Sequence, residues 1–309
     1  MIVLGPNRYG KAETRVVRVT RHGDAHHIKD LNVSTSLSGA MADVHLTGDN
    51  SAVLTTDAQK NTVYAFARKH GIGAIEDFAL LLARRFVDSQ PSVHRARVAV
   101  EEYAWERNAG SGHSFLRSGR EVRTCVAHYD GSAAWMVCGL RDLVVLNTTN
   151  SEFRGFVKDE YTTLPETRDR ILATAVDASW RHSSVRPTGP DGDPGGDWDR
   201  GPDGNGEAAN DWDKSYETVR QALLTAFAGT YSLSLQQTLY AMGARVLADC
   251  PEICEVRLSL PNKHHFLVDL APFGLDNPNE VYLAADRPYG LIEGTVLRDD
   301  APAAGPAWE

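Results

Sequence analysis

The apolar residues of this chain fall twice into the same order of patterns, and that duplication constrains the fold more than any single motif. In the first half, Glu13–Arg21 sets Val16, Val17 and Val19 among charges and predicts a strand with one wet face. Met41–Leu54, with Val44, Leu46, Val53 and Leu54, predicts another. Asp57 can cap the next helix, and Asn61–His70 and Ala74–Ser89 read as helices. In the latter, Ile75, Phe78, Leu82 and Phe86 recur at spacings of three and four as one apolar stripe. Val93–Trp105, Glu121–His128 and Ala133–Leu140 return to strand alternation. The second half repeats the order, with strands at Asp142–Asn147 and Ala175–Arg181 and helices at Ser215–Phe227 and Ser234–Ala248. Alternation then resumes through Val256, Leu258 and Leu260, through Phe266, Val268 and Leu270, and over Leu291–Leu297. Strands grouped around helix pairs predict an antiparallel α+β protein rather than a doubly wound sheet. The two halves are expected to divide as domains 1–137 and 138–309.

Size and charge narrow the class. At roughly 150 residues per domain, 309 residues suit two domains, and 42% hydrophobic residues suffice for a buried core. A net charge of −9 argues against a general nucleic-acid binder or an anionic-membrane binder. No apolar run approaches the ~20 residues of a membrane span. Ile2-Val3-Leu4 before Gly5-Pro6 is too short for a signal-peptide core. Four scattered cysteines do not make a disulfide framework. A cytoplasmic location is therefore expected. Pro187–Asp213 stands apart, since 11 of its 27 residues are Pro or Gly and Asp dominates the rest. Such a stretch cannot bury enough apolar surface to offset its ordering, which predicts a mobile surface insertion. Its Asp-rich repeats lack the glycine placement of a calcium loop.

Several familiar motifs fail on inspection. Gly5-Pro6-Asn7-Arg8-Tyr9-Gly10-Lys11 fits a phosphate-binding loop until Ala12 stands where a hydroxyl must hold Mg²⁺, and strand alternation comes next where a helix is required. A turn carrying Lys11 into a strand fits better. Cys250-x-x-x-Cys254 has no second ligand pair nearby, so inert thiols are expected and no metal. His26-His27 reads as solvated surface. No nucleophile elbow occurs, and Gly110-Ser111-Gly112 reads as a hairpin turn. No cofactor is implied. Three polar-rich segments remain: Thr55–Thr62, Asn150–Arg170 and Ser259–Asp269. Each has a bland reading, Thr56-Asp57 as a helix cap and Asn262-Lys263-His264 as a hairpin turn among them.

Taken together these segments resemble the urate oxidase (uricase) family of bacterial type. The matching residues are Gly10-Lys11; Thr55-Thr56-Asp57 with Lys60-Asn61-Thr62; Phe153-Arg154-Gly155-Phe156 through Asp159–Leu164 to Asp169-Arg170; Leu235-Gln236; Leu260–His264; and Gly290-Leu291-Ile292. They occur in order over nearly the whole chain, which is far more specific than any one of them. The resemblance implies two tandem tunnelling-fold halves, each an antiparallel four-stranded sheet backed by two helices. It also implies a homotetramer with sites where subunits meet.

It implies residue roles as well. Arg170 would grip one edge of the flat urate anion with its planar fork, and Gln236 would offer donor and acceptor to the opposite edge. Phe153 would stack on the purine, the Leu235 position would give a backbone N–H, and Asn262 would hold oxygen or water above the plane. Lys11, Thr56 and His264 match the catalytic relay, with Thr56 and Asp57 reaching in from the neighbouring subunit. A desolvated lysine loses hold of its proton and can take one from the Thr56 hydroxyl as that hydroxyl takes one from urate. The implied reaction converts urate, O₂ and water to 5-hydroxyisourate and H₂O₂ without a cofactor, in purine catabolism. Two other readings stand beside it. One is another tunnelling-fold enzyme acting on a purine or pterin, several of which need a metal held by Cys and His. The other is an inactive purine-binding relative.

Overall fold

The computed structural model describes residues 2–185 and 211–309. Most of the segment singled out as an insertion, residues 187–210, lies outside the described residues. The protein is α+β, and the order strand–strand–helices–strand–strand occurs twice. The first pass runs β1 (Tyr9–His22), β2 (Ala25–Gly39), a short α1 (Ala42–Leu46), α2 (Thr56–Lys69), α3 (Ile75–Ser89), β3 (Val93–Arg107) and β4 (Phe115–Tyr129). The second runs β5 (Ala134–Asn147), β6 (Leu172–His182), α4 (Trp212–Gly229), α5 (Leu235–Asp249), β7 (Ile253–Leu267) and β8 (Tyr282–Leu297).

Two compact units divide the chain. One comprises Met1–Gly139, Arg181–Ser215 and Pro302–Glu309, and the other Leu140–Trp180 and Tyr216–Ala301. In the first, β1, β2, β3 and β4 pair in sequence order, each neighbour antiparallel. Helix α3 lies over β3 and β4, and α2 over β1. Strand alternation explains the core between them: Leu31, Val33 and Leu37 of β2 and Ala96, Val98 and Val100 of β3 point to the helices and are buried. The α3 stripe of Ile75, Phe78, Leu82 and Phe86 closes the other side. Each of these side chains other than Ala96 contributes roughly 1.5–3 kcal/mol by leaving water. In the second unit β5, β6, β7 and β8 come in order, β7 and β8 pair antiparallel, and α5 covers both.

Several expectations need correction. Met41–Leu54 is not a strand. Only Ala42–Leu46 is regular, as α1, and Gly48 turns the chain at φ 79° while the Asp43 carbonyl collects the N–H groups of Thr47 and Gly48. The second strand is instead Ala25–Gly39, whose buried set includes Thr35 and so dilutes the apolar signal. It contains His26 and His27. Asp142–Asn147 is no separate strand but the continuation of β5, which accommodates Asp142 at φ 61° with its N–H on the Asp177 carboxylate at 2.9 Å. Asn262–His264 is no hairpin turn: β7 runs through it with a register shift, a bulge between Asn262 and His264. Val268 and Leu270 lie beyond that strand.

At the other joints the bounds shift, most at β8, which begins nine residues before the expected Leu291, at Tyr282, and at β4, which begins six before Glu121, at Phe115. Thr55, not Asp57, caps α2, its hydroxyl accepting from the Ala58 N–H at 3.1 Å. Helix α4 starts three residues early, at Trp212, because Trp212 is buried with its indole N–H on Asp77 at 2.7 Å and Asp213 pairs with Arg123 at 2.5 Å. As expected, Lys11 enters a strand and the glycines at 110 and 112 fall in the turn joining β3 to β4. All four cysteines are free and buried, and burial pushes the Cys250 thiol up to about 12. Among the described residues no helix is long and apolar enough to cross a membrane.

Candidate active site

The first unit gathers Lys11, Thr56 and Asp57. Lys11 lies two residues into β1 and is half-buried, and Thr56 and Asp57 open α2 and are exposed. What fixes the helix start to the strand is a polar brace outside the family motifs. Gln59, fully buried on the helix's inner face with Val63 and Ala67, accepts from Thr35 Oγ1 at 2.7 Å. Thr35 Oγ1 in turn accepts from the Lys11 N–H at 3.3 Å. Gln59 Nε2 and Tyr9 Oη both donate to the Leu54 carbonyl, at 3.4 and 2.9 Å. A buried polar side chain is tolerated only when its hydrogen bonds are made, so this brace holds the Leu54–Thr56 backbone in place against β1. A Gln at the core spacing i, i+4, i+8 with two apolar residues is the sequence signal that marks it.

Asp57 is held by its own helix. Its carboxylate takes Lys60 Nζ at 2.7 Å and Asn61 Nδ2 at 2.9 Å, which accounts for the Lys60-Asn61 part of the motif. Hydrogen bonding and charge from Lys60 hold the Asp57 carboxyl below the usual range, with Asn61 and the positive charge of Lys11 adding to it. The Thr56 hydroxyl stands between these charges in sequence and makes no side-chain hydrogen bond among the described residues, so it is available to donate or accept.

The second unit assembles Phe153, Arg170 and the start of α5. The segment Asn150–Phe153 is the hub. On one side Glu152 N–H donates to the Ser232 carbonyl at 2.8 Å and Ser232 N–H to the Asn150 carbonyl at 2.9 Å. On the other, Phe153 and Thr167 exchange both backbone hydrogen bonds, at 2.9 and 3.0 Å, and Arg170 N–H reaches the Ser151 carbonyl at 2.9 Å. Arg170 Nε donates to Ser151 Oγ at 3.1 Å, and its guanidinium carbon lies 5.2 Å from the Phe153 ring centroid. Among the described residues no carboxylate pairs with Arg170, and burial pulls its pKa down. A guanidinium partly withdrawn from water with no counter-ion is a ready acceptor of an anionic ligand. Phe153 is further stacked on Phe156, centroids 5.0 Å apart and planes 14° from parallel.

Ser232 and Ser234 carry the helix start to this hub. Ser234 caps α5 by accepting the Gln237 N–H at 3.2 Å, while Gln237 Oε1 reaches back to the Leu233 N–H at 2.8 Å, a reciprocal cap. Buried Thr238 donates to Ser232 Oγ at 2.9 Å. The N–H of Leu235, first of the helix, has no intrahelical acceptor, and the helix dipole places positive potential there. The Leu235 side chain is buried, whereas Gln236 is exposed and points its amide outward. Asn262 and His264 stand on β7 on either side of the bulge, both half-buried, with His264 stacked on Phe266 at 5.7 Å. Among the described residues neither is hydrogen-bonded to Phe153, Arg170 or Gln236. The rest of the Asn150–Arg170 block has local duties: Asp159 closes a turn on Tyr161 and Thr162, and Asp169 accepts from Thr149 at 2.9 Å.

A sequence model of the uricase family matches residues 7–128 and 136–293. A uricase of Arthrobacter globiformis is 49% identical over 307 residues, covering 99% of this chain and 94% of that protein. The chain belongs to the uricase family. A uricase of Dictyostelium discoideum is 36% identical over 307 residues, covering 96% of this chain and 98% of that protein. The crystal structure of the Arthrobacter globiformis uricase superposes with a TM-score of 0.89, covering 100% of this chain and 99% of that one. The duplicated order of strands and helices is thus the tandem tunnelling fold of uricases, and the chain is an oxidoreductase of that family.

Proposed function

We propose that this chain oxidises urate with dioxygen and water to 5-hydroxyisourate and hydrogen peroxide. Arg170 carries the reading: a guanidinium fixed by Ser151, set against the Phe153 ring and lacking a carboxylate partner among the described residues, beside the open N-terminal turn of α5. A planar anion edged with carbonyl oxygens suits that cradle. Arg170 takes one edge, the Leu235 N–H and the Gln236 amide the other, and Phe153 the ring face.

Lys11, Thr56 and Asp57 belong to the other compact unit, and we assign them to the same reaction centre through a second copy of the chain. The exposed apolar side chains of β5 and β8, Val144, Leu146, Leu283, Leu291 and Leu297, support assembly, and a homotetramer is the expected form. In this reading Lys11 takes the Thr56 proton while Thr56 takes one from urate. His264 relays the proton onward, and Asn262 holds oxygen above the ring. The electron-rich urate dianion passes one electron to O₂. The radical pair joins at C5 as a peroxide, which is protonated and leaves as H₂O₂, and water adds at C5. One urate, one O₂ and one water thereby become one 5-hydroxyisourate and one H₂O₂. Urate absorbance, dissolved oxygen and peroxide followed together on the purified protein test this. Equimolar change in all three is expected; urate binding without oxygen uptake would make the chain a purine-binding relative instead.

A further inference from the structure

The sheet face turned away from Lys11 holds a cationic cavity. Tyr9 and Thr35 face α2, as their bonds to Leu54 and Gln59 require, so Ser36 faces the opposite side. Register sets Arg97 of β3 beside Ser36 and His128 of β4 beside Arg97, a row of three across the sheet. Arg95 lies one pleat along. With Arg8 from the N-terminal segment and Glu309, these residues line an open cavity of about 460 Å³.

Three arginines share the site with two side-chain carboxylates, Glu309 and Asp130: Glu309 accepts from Arg95 Nη1 at 2.8 Å through its side chain and from Arg97 Nε at 2.9 Å through its main-chain oxygen. Asp130, at the rim beside Arg95, is occupied by the N–H groups of Ser132 and Ala133 at 2.9 and 2.8 Å. Among the described residues Arg8 and both Nη atoms of Arg97 make no hydrogen bond. His128 is 1% exposed, yet neither ring nitrogen has a partner. A buried imidazole left unpaired on both sides is costly, and such groups ordinarily have one.

We propose that this cavity binds a small oxyanion of the phosphate or sulfate class, held by Arg97, Arg8 and the His128 ring with the Ser36 hydroxyl. A tetrahedral dianion supplies acceptors to the open guanidinium fork and to an imidazole N–H at once. Burial and the surrounding arginines push the His128 pKa down to about 4. An anion cancels the repulsion from Arg97, Arg95 and Arg8, letting the ring take a proton and donate from both nitrogens. Glu309 is the internal competitor, its carboxylate already resting on Arg95.

Calorimetric titration of inorganic phosphate into the full chain, at fixed ionic strength against chloride, tests the proposal. One saturable site per chain is expected. Arg97→Gln and the exposed Arg8→Gln should each weaken binding about tenfold or more. Glu309→Gln should tighten it, a direction that damage to the fold cannot produce. Arg21→Gln, an exposed arginine outside the cavity, and Arg170→Gln should leave it unchanged. Absence of a saturable site would overturn the proposal, and so would wild-type affinity in both the Arg8 and Glu309 variants. Loss of binding in Arg170→Gln would move the anion to the urate cradle and overturn it equally.

Discussion

Replacing Arg170 by Gln should separate activity from stability. In the wild type the guanidinium donates from Nε to Ser151 Oγ at 3.1 Å, lies 5.2 Å from the Phe153 ring centroid and has no carboxylate partner among the described residues. For folding, the exchange loses a hydrogen bond of about 1 kcal/mol and a cation–π contact of about 0.5–1 kcal/mol. Against that, it removes a charge that burial already disfavours, as the lowered pKa of Arg170 indicates. The terms nearly cancel, so the melting temperature should move by no more than about 4 °C. For catalysis nothing offsets the loss. A two-pronged charge-assisted grip is worth about 3 kcal/mol or more, which is roughly 150-fold in kcat/KM. Initial rates of urate loss and thermal melts on the same preparation decide the matter. A kcat/KM within about fivefold of wild type would refute the cradle. Activity lost only in step with a collapsed melting temperature would make Arg170 a structural residue.

Lys11→Met should lower kcat by about a hundredfold or more while leaving urate affinity within a few-fold, since the relay acts on a proton and not on binding; equilibrium binding beside turnover measures the split. Gly243→Ala should destabilise the chain by about 1–3 kcal/mol despite the better helix propensity of Ala. The new methyl would stand 2.6 Å from Val296 Cγ2, so adding Val296→Ala should recover part of the loss in denaturant titrations. His128 gives a pH dependence of definite sign. Its folded-state pKa of about 4 lies below the ordinary 6.5, so the unfolded chain takes up the proton first as pH falls. Its contribution to stability is fully present above pH 6.5, declines as the pH drops, and is lost by about pH 4. Between pH 7 and pH 5 the wild type should lose about 2 kcal/mol more than His128→Gln in urea unfolding.

Long, strongly periodic elements were readable in the sequence: the α3 stripe, the alternation of β3 and the helix α5 appear where expected. Elements that mix polar residues into buried positions were not. Strand β2 buries Thr35 and Asp30 beside Leu31, Val33 and Leu37, and those polar groups are satisfied by Gln59, Arg15 and Trp105, far off in sequence. Irregular points inside strands misled in the opposite way. Asp142 in β5 and Lys263 in β7 look like breaks because charged and turn-forming residues interrupt the alternation, yet each strand continues past them. The same split holds for the candidate site. Motif residues that act locally, such as Asp57 with Lys60 and Asn61, could be read from spacing. The bracing of Lys11 through Thr35 and Gln59, and of Arg170 through Ser151, joins residues 24 and 19 apart that only the fold brings together.

The central claim is that Lys11 of one copy and Arg170 of another serve one urate. Subunit mixing tests it most directly. Lys11→Met and Arg170→Gln chains, each nearly inactive alone, are unfolded together in equal amounts and refolded. If reaction centres are shared between copies, random assembly leaves about a quarter of them with both residues intact, and activity should return to about that fraction of wild type. Activity no higher than that of the separately refolded variants would contradict the shared site and put both residues in one chain.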